Sequence, residues 1–343
     1  MLRAIHFDTP EYIPMNFAIN GSCWLAYPHD EIYDLMESHP ILFPNFKRPS
    51  KAVCPVFHPI CQKDMPYTDD FGCVWRTTMD GITGTVVEHP LGDWGKFESY
   101  KAPDPSTCTG IGAINWEQQK QNIALAKERG DFTSGGLRHG HTFLQLCDLR
   151  GYENLMFDFA DNKAEIFKLI DMVEQFNAYI VKQYVEMGVD MVSYAEDLGM
   201  QLGPMLSPAH FKKYIKPSYQ RLMKPAVEKG CIIHMHSDGD IRTLTDDLID
   251  SQVQVLNLQD LVNGVDWIAD TFGGRICVEV DIDRQHITSQ GTPQQIDSLI
   301  REEVIKIGSK QGGLLMIYGW YPGVPLENVR ALMDAMEKYS FYY

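Results

Sequence analysis

From residue 162 onward the apolar positions of this chain switch between two periods. Short runs rich in β-branched residues, "VDMVSYAED", "CIIHMHSDG", "VQVLNLQ", "RICVEVDID" and "LLMIYGW", read as strands. Between them lie segments with apolar residues three and four apart, which read as helices. Ile166, Leu169, Ile170, Val173, Ile180 and Tyr184 make such a stripe over 162–187. Asn162 and Glu165 are spaced for a capping box there, and Gly188 suits the C′ position. Ser207 and Pro208 fit N-cap and N1 of the next helix, which Pro217 and Pro225 are expected to kink or divide. Further helices are expected over about 241–249, over Val265 to Phe272, from the Thr292–Gln295 cap to about 307, and after Pro325. In the less regular first half, "YIPMNFAI" and "DFTSGGL" supply strand candidates, with "VVEHPLGDW" a more irregular one. Alternating strands and helices over this length suit an α/β fold, a (β/α)8 TIM barrel with N-terminal elaborations, as a single domain over 1–343. A doubly wound open sheet is the competing arrangement. It usually carries G-x-G-x-x-G after its first strand, a motif absent here.

A barrel places its chemistry at the C-terminal ends of its strands. Those ends are polar in this chain: Asn20 to Cys23, Glu196 and Asp197, His234 and His236, Asn257 and Gln259, Glu279, Asp281 and Asp283, and Tyr318, Trp320 and Tyr321. His234 and His236 stand two apart, so in a strand they share a face, a placement suited to Zn2+ with a third ligand from elsewhere. A hydrogen-bonded structural pair is the competing reading. Glu196 and Asp197 are consecutive, so one of them is expected to face inward, as a metal ligand, a general base or an orienting partner for a histidine. Capping of the following turn is their bland alternative. Of the three alternating acids, Asp283 is also placed to cap the next loop. Gln259 and Cys23 are candidate substrate contacts, and Tyr318 and Trp320 either wall a substrate pocket or pack under the final helix. "HGH" at 139–141, beside Arg138, reads as a loop of structural histidines.

Composition narrows the partners. The chain is 44% hydrophobic and 22% charged, an ordinary globular balance, and has no run of 18 apolar residues. The N-terminus lacks an apolar signal-peptide core, so a cytoplasmic protein is expected. Cysteines at 23, 54, 61, 73, 108, 147, 231 and 277 form no C-x-x-C pair, which argues for reduced thiols. A net charge of -16 disfavours nucleic acid and anionic membrane surfaces as partners.

The segments "LGPMLSPAHFKKYIKPSYQRL", "GGRICVEVDIDRQHITSQGTPQQI" and "VPLENVRALMDAM" resemble the uroporphyrinogen decarboxylase family, as do "YTDDFGCVWR" and "EHPL". The resemblance implies a barrel shared by decarboxylases and by zinc-dependent methyltransferases that work with corrinoid proteins. Several decarboxylase features are missing. "MNFAINGSCWLAYP" has no arginine, the family's serine falls at Asp197, its tyrosine falls near Leu146, and "YGWYPG" holds no histidine. The methyltransferase branch carries His-x-Cys, matched by His234 and, with a changed residue, His236; its last-strand cysteine has no counterpart. The resemblance therefore implies a Zn2+ site with harder ligands, completed by Glu196 or Asp197. It implies methyl transfer between a small methylated compound, such as an aryl methyl ether, and the corrinoid of a partner protein. A homodimer is allowed. A metal-dependent decarboxylase or lyase of a small acid, with Arg138 as carboxylate clamp, and a non-catalytic ligand-binding barrel are the alternatives.

Overall fold

The computed structural model describes residues 1–51 and 55–342; Cys54 lies outside the described residues. Seven principal strands follow in chain order: β1 (Met15–Ile19), β2 (Ser134–Gly136), β3 (Met191–Ala195), β4 (Ile232–Ser237), β5 (Val255–Gln259), β6 (Cys277–Asp281) and β7 (Leu314–Trp320). The helices that matter below are α1 (Phe143–Arg150), α2 (Ala164–Met187), α3 (Lys216–Glu228), α4 (Thr245–Asp250), α5 (Val265–Phe272), α6 (Pro293–Ile307) and α7 (Leu326–Ser340). This parallel strand–helix alternation is the α/β, TIM-barrel class that the periodicity predicts.

The residues divide into two compact units. One comprises Met1–Met65, Thr77–Gly84 and Asn257–Tyr343; the other comprises Pro66–Arg76 and Thr85–Leu256. In the first, β7 runs parallel to both β1 and β6, with Phe17 opposite Tyr318 and Asp281 opposite Ile317. Its core stacks Phe17 against Tyr318 and Trp320, at centroid separations of 5.4 and 6.5 Å. In the second, β3 runs parallel to β2 and β4, and the register sets Ser193 beside His234 and Ala195 beside His236. Its α2 buries Ile166, Leu169, Ile170, Val173 and Ile180, the stripe read from the sequence. Each such side chain removed from water contributes about 1.5–3 kcal/mol.

Three local expectations change. "VVEHPLGDW" adds no parallel strand; its Thr85–Glu88 pairs antiparallel with Val74–Arg76, which pairs in turn with Tyr67–Thr68. Asn162 does not cap α2. It sits at φ +54°, its side chain accepts from the Tyr214 hydroxyl at 3.0 Å, and the helix starts at Ala164. The segment expected over 241–249 is helical only in α4. Other signals hold: Gly188 ends α2 in the left-handed conformation, and Thr292 and Gln295 exchange both bonds of a capping box. Ser207 Oγ accepts from His210 N at 3.1 Å. Pro217 falls in the first turn of α3, just after a π-helical turn over Phe211–Ile215, because proline supplies no N–H to continue the α ladder. Among the described residues no helix is long and apolar enough to cross a membrane.

Candidate metal centre

Strand alternation sorts the acids of the second unit. Val192 and Tyr194 of β3 are buried, and Glu196 continues their face with no exposure. Ser193, Ala195 and Asp197 lie on the other face, the one that β4 shares through His234 and His236. Asp197 Oδ1 lies 3.3 Å from His236 Nε2 and 3.2 Å from His139 Nε2. The same oxygen accepts from the Asp238 backbone N–H at 3.0 Å. His139, Asp197 and His236 thus offer three ligand atoms within 4.8 Å of one another. Burial would raise the Asp197 carboxyl, but the His139 and His236 hydrogen bonds together outweigh it and hold the group well below the usual carboxylate range. Two imidazoles and one ionised carboxylate from three separate segments suit a divalent ion such as Zn2+.

His139 reaches this group through a bulge. Leu137 N donates to Ser193 O at 3.0 Å, continuing the ladder past β2. A regular parallel ladder would next present residue 139, yet Gly140 N makes the bond to Ala195 O, at 2.8 Å. One extra residue therefore stands out of the ladder and is re-aimed at Asp197. Gly140 is required there: its φ is +76°, and a Cβ would lie 2.9 Å from Leu144 Cβ. The two histidines of "HGH" part ways as a result. His139 is half exposed at the centre, whereas His141 is buried and bonded through Nδ1 to Thr142 Oγ1 at 2.7 Å. Burial pushes the His141 imidazole down to about 3, which keeps it neutral. The sequence pattern reads both as structural; the signal that separates them is a glycine interrupting a strand pattern between two imidazoles.

The remaining expected residues take other places. His234 Nδ1 lies 3.0 Å from Ser193 Oγ, outside the three-ligand group. Glu196 is not brought to the histidines. One of its oxygens accepts from Thr142 N and Leu144 N, both at 2.9 Å, and the other accepts from the Tyr219 hydroxyl. Burial pushes its carboxyl up to about 7 against these bonds. In the first unit, Tyr318 and Trp320 are fully buried and do not wall an open pocket. They alternate away from Gly319 and Tyr321, and the Tyr318 hydroxyl donates to Thr288 Oγ1 at 3.1 Å. Cys23 Sγ donates to Trp320 O at 3.2 Å, and burial pushes the thiol up to about 12, so it stays protonated. The Gln259 carbonyl accepts from Asn263 Nδ2 at 2.9 Å, closing a turn. Asp283 caps the next loop, accepting from His286 N at 3.0 Å and Ile287 N at 2.6 Å.

Arg138 is engaged rather than poised. Its guanidinium donates to Gln145 Oε1 at 2.6 Å and Asp148 Oδ2 at 2.9 Å, with the Trp75 ring 5.6 Å away and 4% of the side chain exposed. Arg138 is therefore not an accessible clamp for a substrate carboxylate. Burial pushes the Asp148 carboxyl up to about 6, against Arg138 and with help from Asp69. A carboxyl raised in the folded state stabilises the fold below its unfolded value, and that contribution is lost as pH rises from about 4 through about 6. Asp148→Asn should therefore gain stability relative to the wild type between pH 4.5 and 7. Urea midpoints at the two pH values measure this, and a constant difference between the proteins would refute it.

The family model for uroporphyrinogen decarboxylase (URO-D) matches residues 76–339. Among solved structures, a methyltransferase from Methanosarcina mazei superposes with a TM-score of 0.62 at 16% identity, covering 100% of this chain and 98% of the other. A B12-independent methionine synthase from Shewanella sp. W3-18-1 gives a TM-score of 0.42 at 13% identity, over 67% of this chain and 68% of the other. No curated protein matches the chain by sequence. The first of these likenesses extends the fold agreement over the whole length, and the match over 76–339 settles the family: the chain belongs to the uroporphyrinogen decarboxylase family.

Proposed function

We propose that the protein is a zinc-dependent methyltransferase that moves a methyl group from a small aryl methyl ether to a corrinoid protein. The observation that carries this reading is the group formed by His139, Asp197 and His236 at the strand ends of a URO-D family fold. The full-length fold likeness to a methyltransferase adds support. His139 and His236 would hold the ion through Nε2 and Asp197 through a carboxylate oxygen. Bound there, Zn2+ would supply Lewis acidity toward an oxygen leaving group. The protein's own groups prepare that chemistry. Asp197 stays ionised, so it is ready to ligate without first losing a proton. The Asp238 N–H fixes which way its carboxylate turns. A nitrogen and oxygen donor set is harder than a thiolate set, which favours an ether oxygen over a thiol as the bound group. The exposed side of His139 leaves the centre open to a substrate and to a bulky acceptor.

Purified protein should carry close to one equivalent of zinc; less than about half an equivalent, with no uptake on addition, would count against the centre. Demethylation of a methoxyarene should require both zinc and a Co(I) corrinoid protein. Turnover without the corrinoid protein would exclude this mechanism.

A further inference from the structure

Glu196 raises a problem that its neighbours answer. Its carboxylate is fully buried, and among the described residues no arginine or lysine is bonded to it. Burying a carboxyl group is costly unless hydrogen bonds replace its water. Here they do: two backbone N–H groups at the start of α1 and one phenol from α3 surround it. A buried methionine or leucine would fill similar space at less cost in desolvation. The position of the bonds gives the carboxylate a use. Glu196 is covalently joined to Asp197 and points away from it on the opposite face of the strand. The N–H groups that it binds, Thr142 and Leu144, follow directly after the bulge that carries His139. Glu196 N also donates to His236 O at 2.9 Å. One residue is thus bonded to all three segments that supply the candidate ligands.

The bulged segment has further anchors. Asn177 Nδ2 donates to His141 O at 2.6 Å, and Arg138 is bonded to Gln145 and Asp148. Those bonds hold the segment to its own unit but do not touch the Asp197 strand. The two ladder bonds from Leu137 and Gly140 reach the β3 carbonyls on the near side of His139 and at the bulge itself. Beyond the bulge, the Thr142 and Leu144 N–H groups bond Glu196 and so join the His139 segment to the end of that strand, beside the direct His139–Asp197 contact. The Tyr219 hydroxyl donates to the other Glu196 oxygen, and its ring packs 5.3 Å from that of His141.

Resting on the zinc reading above, we propose that Glu196 and Tyr219 are a positioning pair that sets the distance between His139 and Asp197, and so tunes metal affinity without touching the metal. The test uses the purified full-length chain, Zn2+ competition against a chromophoric chelator, and the visible d–d spectrum of the Co2+ form. Groups that orient metal ligands from behind typically change metal affinity about 10–100-fold when removed. Tyr219→Phe should weaken Zn2+ binding by about tenfold and shift the Co2+ band, and Glu196→Ala should weaken it by up to about 100-fold. Glu196→Gln keeps an acceptor for both N–H groups and a partner for the phenol, so it should restore near-wild-type affinity and spectrum. Tyr214→Phe removes another buried phenol, one bonded to Phe159 and Asn162, and serves as the stability control. If Tyr219→Phe lowers thermal stability as that control does, yet leaves the Zn2+ affinity and the Co2+ spectrum of the folded protein unchanged, the pair is merely structural and the proposal fails. If the wild type itself binds no Zn2+ or Co2+, the functional reading fails and this inference fails with it. Tight wild-type binding with unaffected variants overturns the positioning role alone.

Discussion

His236→Ala should lower zinc affinity on the order of 100-fold or more, since removing even a group behind a ligand costs about 10–100-fold. His236 Nε2 is 3.3 Å from Asp197 Oδ1, and its ring centroid is 5.6 Å from that of His139. Without it, one imidazole and one carboxylate remain, a two-ligand site that leaves the ion largely to water. The informative comparison is His234→Ala. The sequence pairs the two histidines, and by family resemblance both would be ligands. In the structure His234 Nδ1 is bonded to Ser193 Oγ, and the group of ligand atoms within 4.8 Å of one another that includes Asp197 and His236 takes its third member from His139. On the three-ligand reading proposed above, His139 is the third ligand. His234→Ala should therefore retain most of the zinc affinity, while His139→Ala should lose it nearly as fully as His236→Ala. Chelator competition on the three purified variants decides the matter. Equal loss from His234→Ala, or none from His139→Ala, would dismantle the three-ligand centre.

The second large effect is expected at a glycine. Gly239→Ala should cost about 3 kcal/mol, combining about 1–2 kcal/mol for an L-residue in the left-handed region with about 1–3 kcal/mol of overpacking. Gly239 has φ +79°, and a Cβ there would lie 2.2 Å from the Gly199 carbonyl carbon and 2.4 Å from its oxygen. Backbone atoms cannot rotate out of the way as a side chain can. The two loops cross here because they are stitched together. Gly199 N donates to Asp238 O at 3.1 Å, Asp240 N to Met200 O at 2.7 Å, and Leu198 N to Ser237 Oγ at 2.9 Å. Forcing them apart also pulls the Asp238 N–H from Asp197, so zinc affinity should fall together with stability. Gly230→Ala supplies the control: its φ is +75°, but nothing lies within 4 Å of the added carbon. It should cost only the conformational part. Equal urea midpoints for the two variants would mean that the crossing is not tight.

Much of this site is legible in the sequence, in unequal pieces. Two-residue spacing puts His234 and His236 on one face, and adjacency means that Glu196 and Asp197 cannot share one. Periodicity cannot say which of the two acids meets the histidines, because that depends on which face of β3 turns toward α2 and α3. Burial of Val192 and Tyr194 on the Glu196 side decides it. Asn162 shows the same limit at a helix end, where a tertiary bond to Tyr214 takes the side chain that local spacing assigns to a cap.

Periodicity and motif are enough to read the alternation of strands and helices, the family, and the residue types able to hold a metal. Periodicity and capping are local, and a barrel's strand ends can be read off in order. Tertiary structure alone chose His139 as partner of Asp197, across 58 residues of chain. It also turned Glu196 to the buried face, bonded to Thr142, Leu144 and Tyr219, and sent Tyr318 and Trp320 into the core. Those choices depend on a single extra residue in one ladder and on which face of each strand is covered. Both are set by packing between segments remote in sequence, which no local pattern encodes.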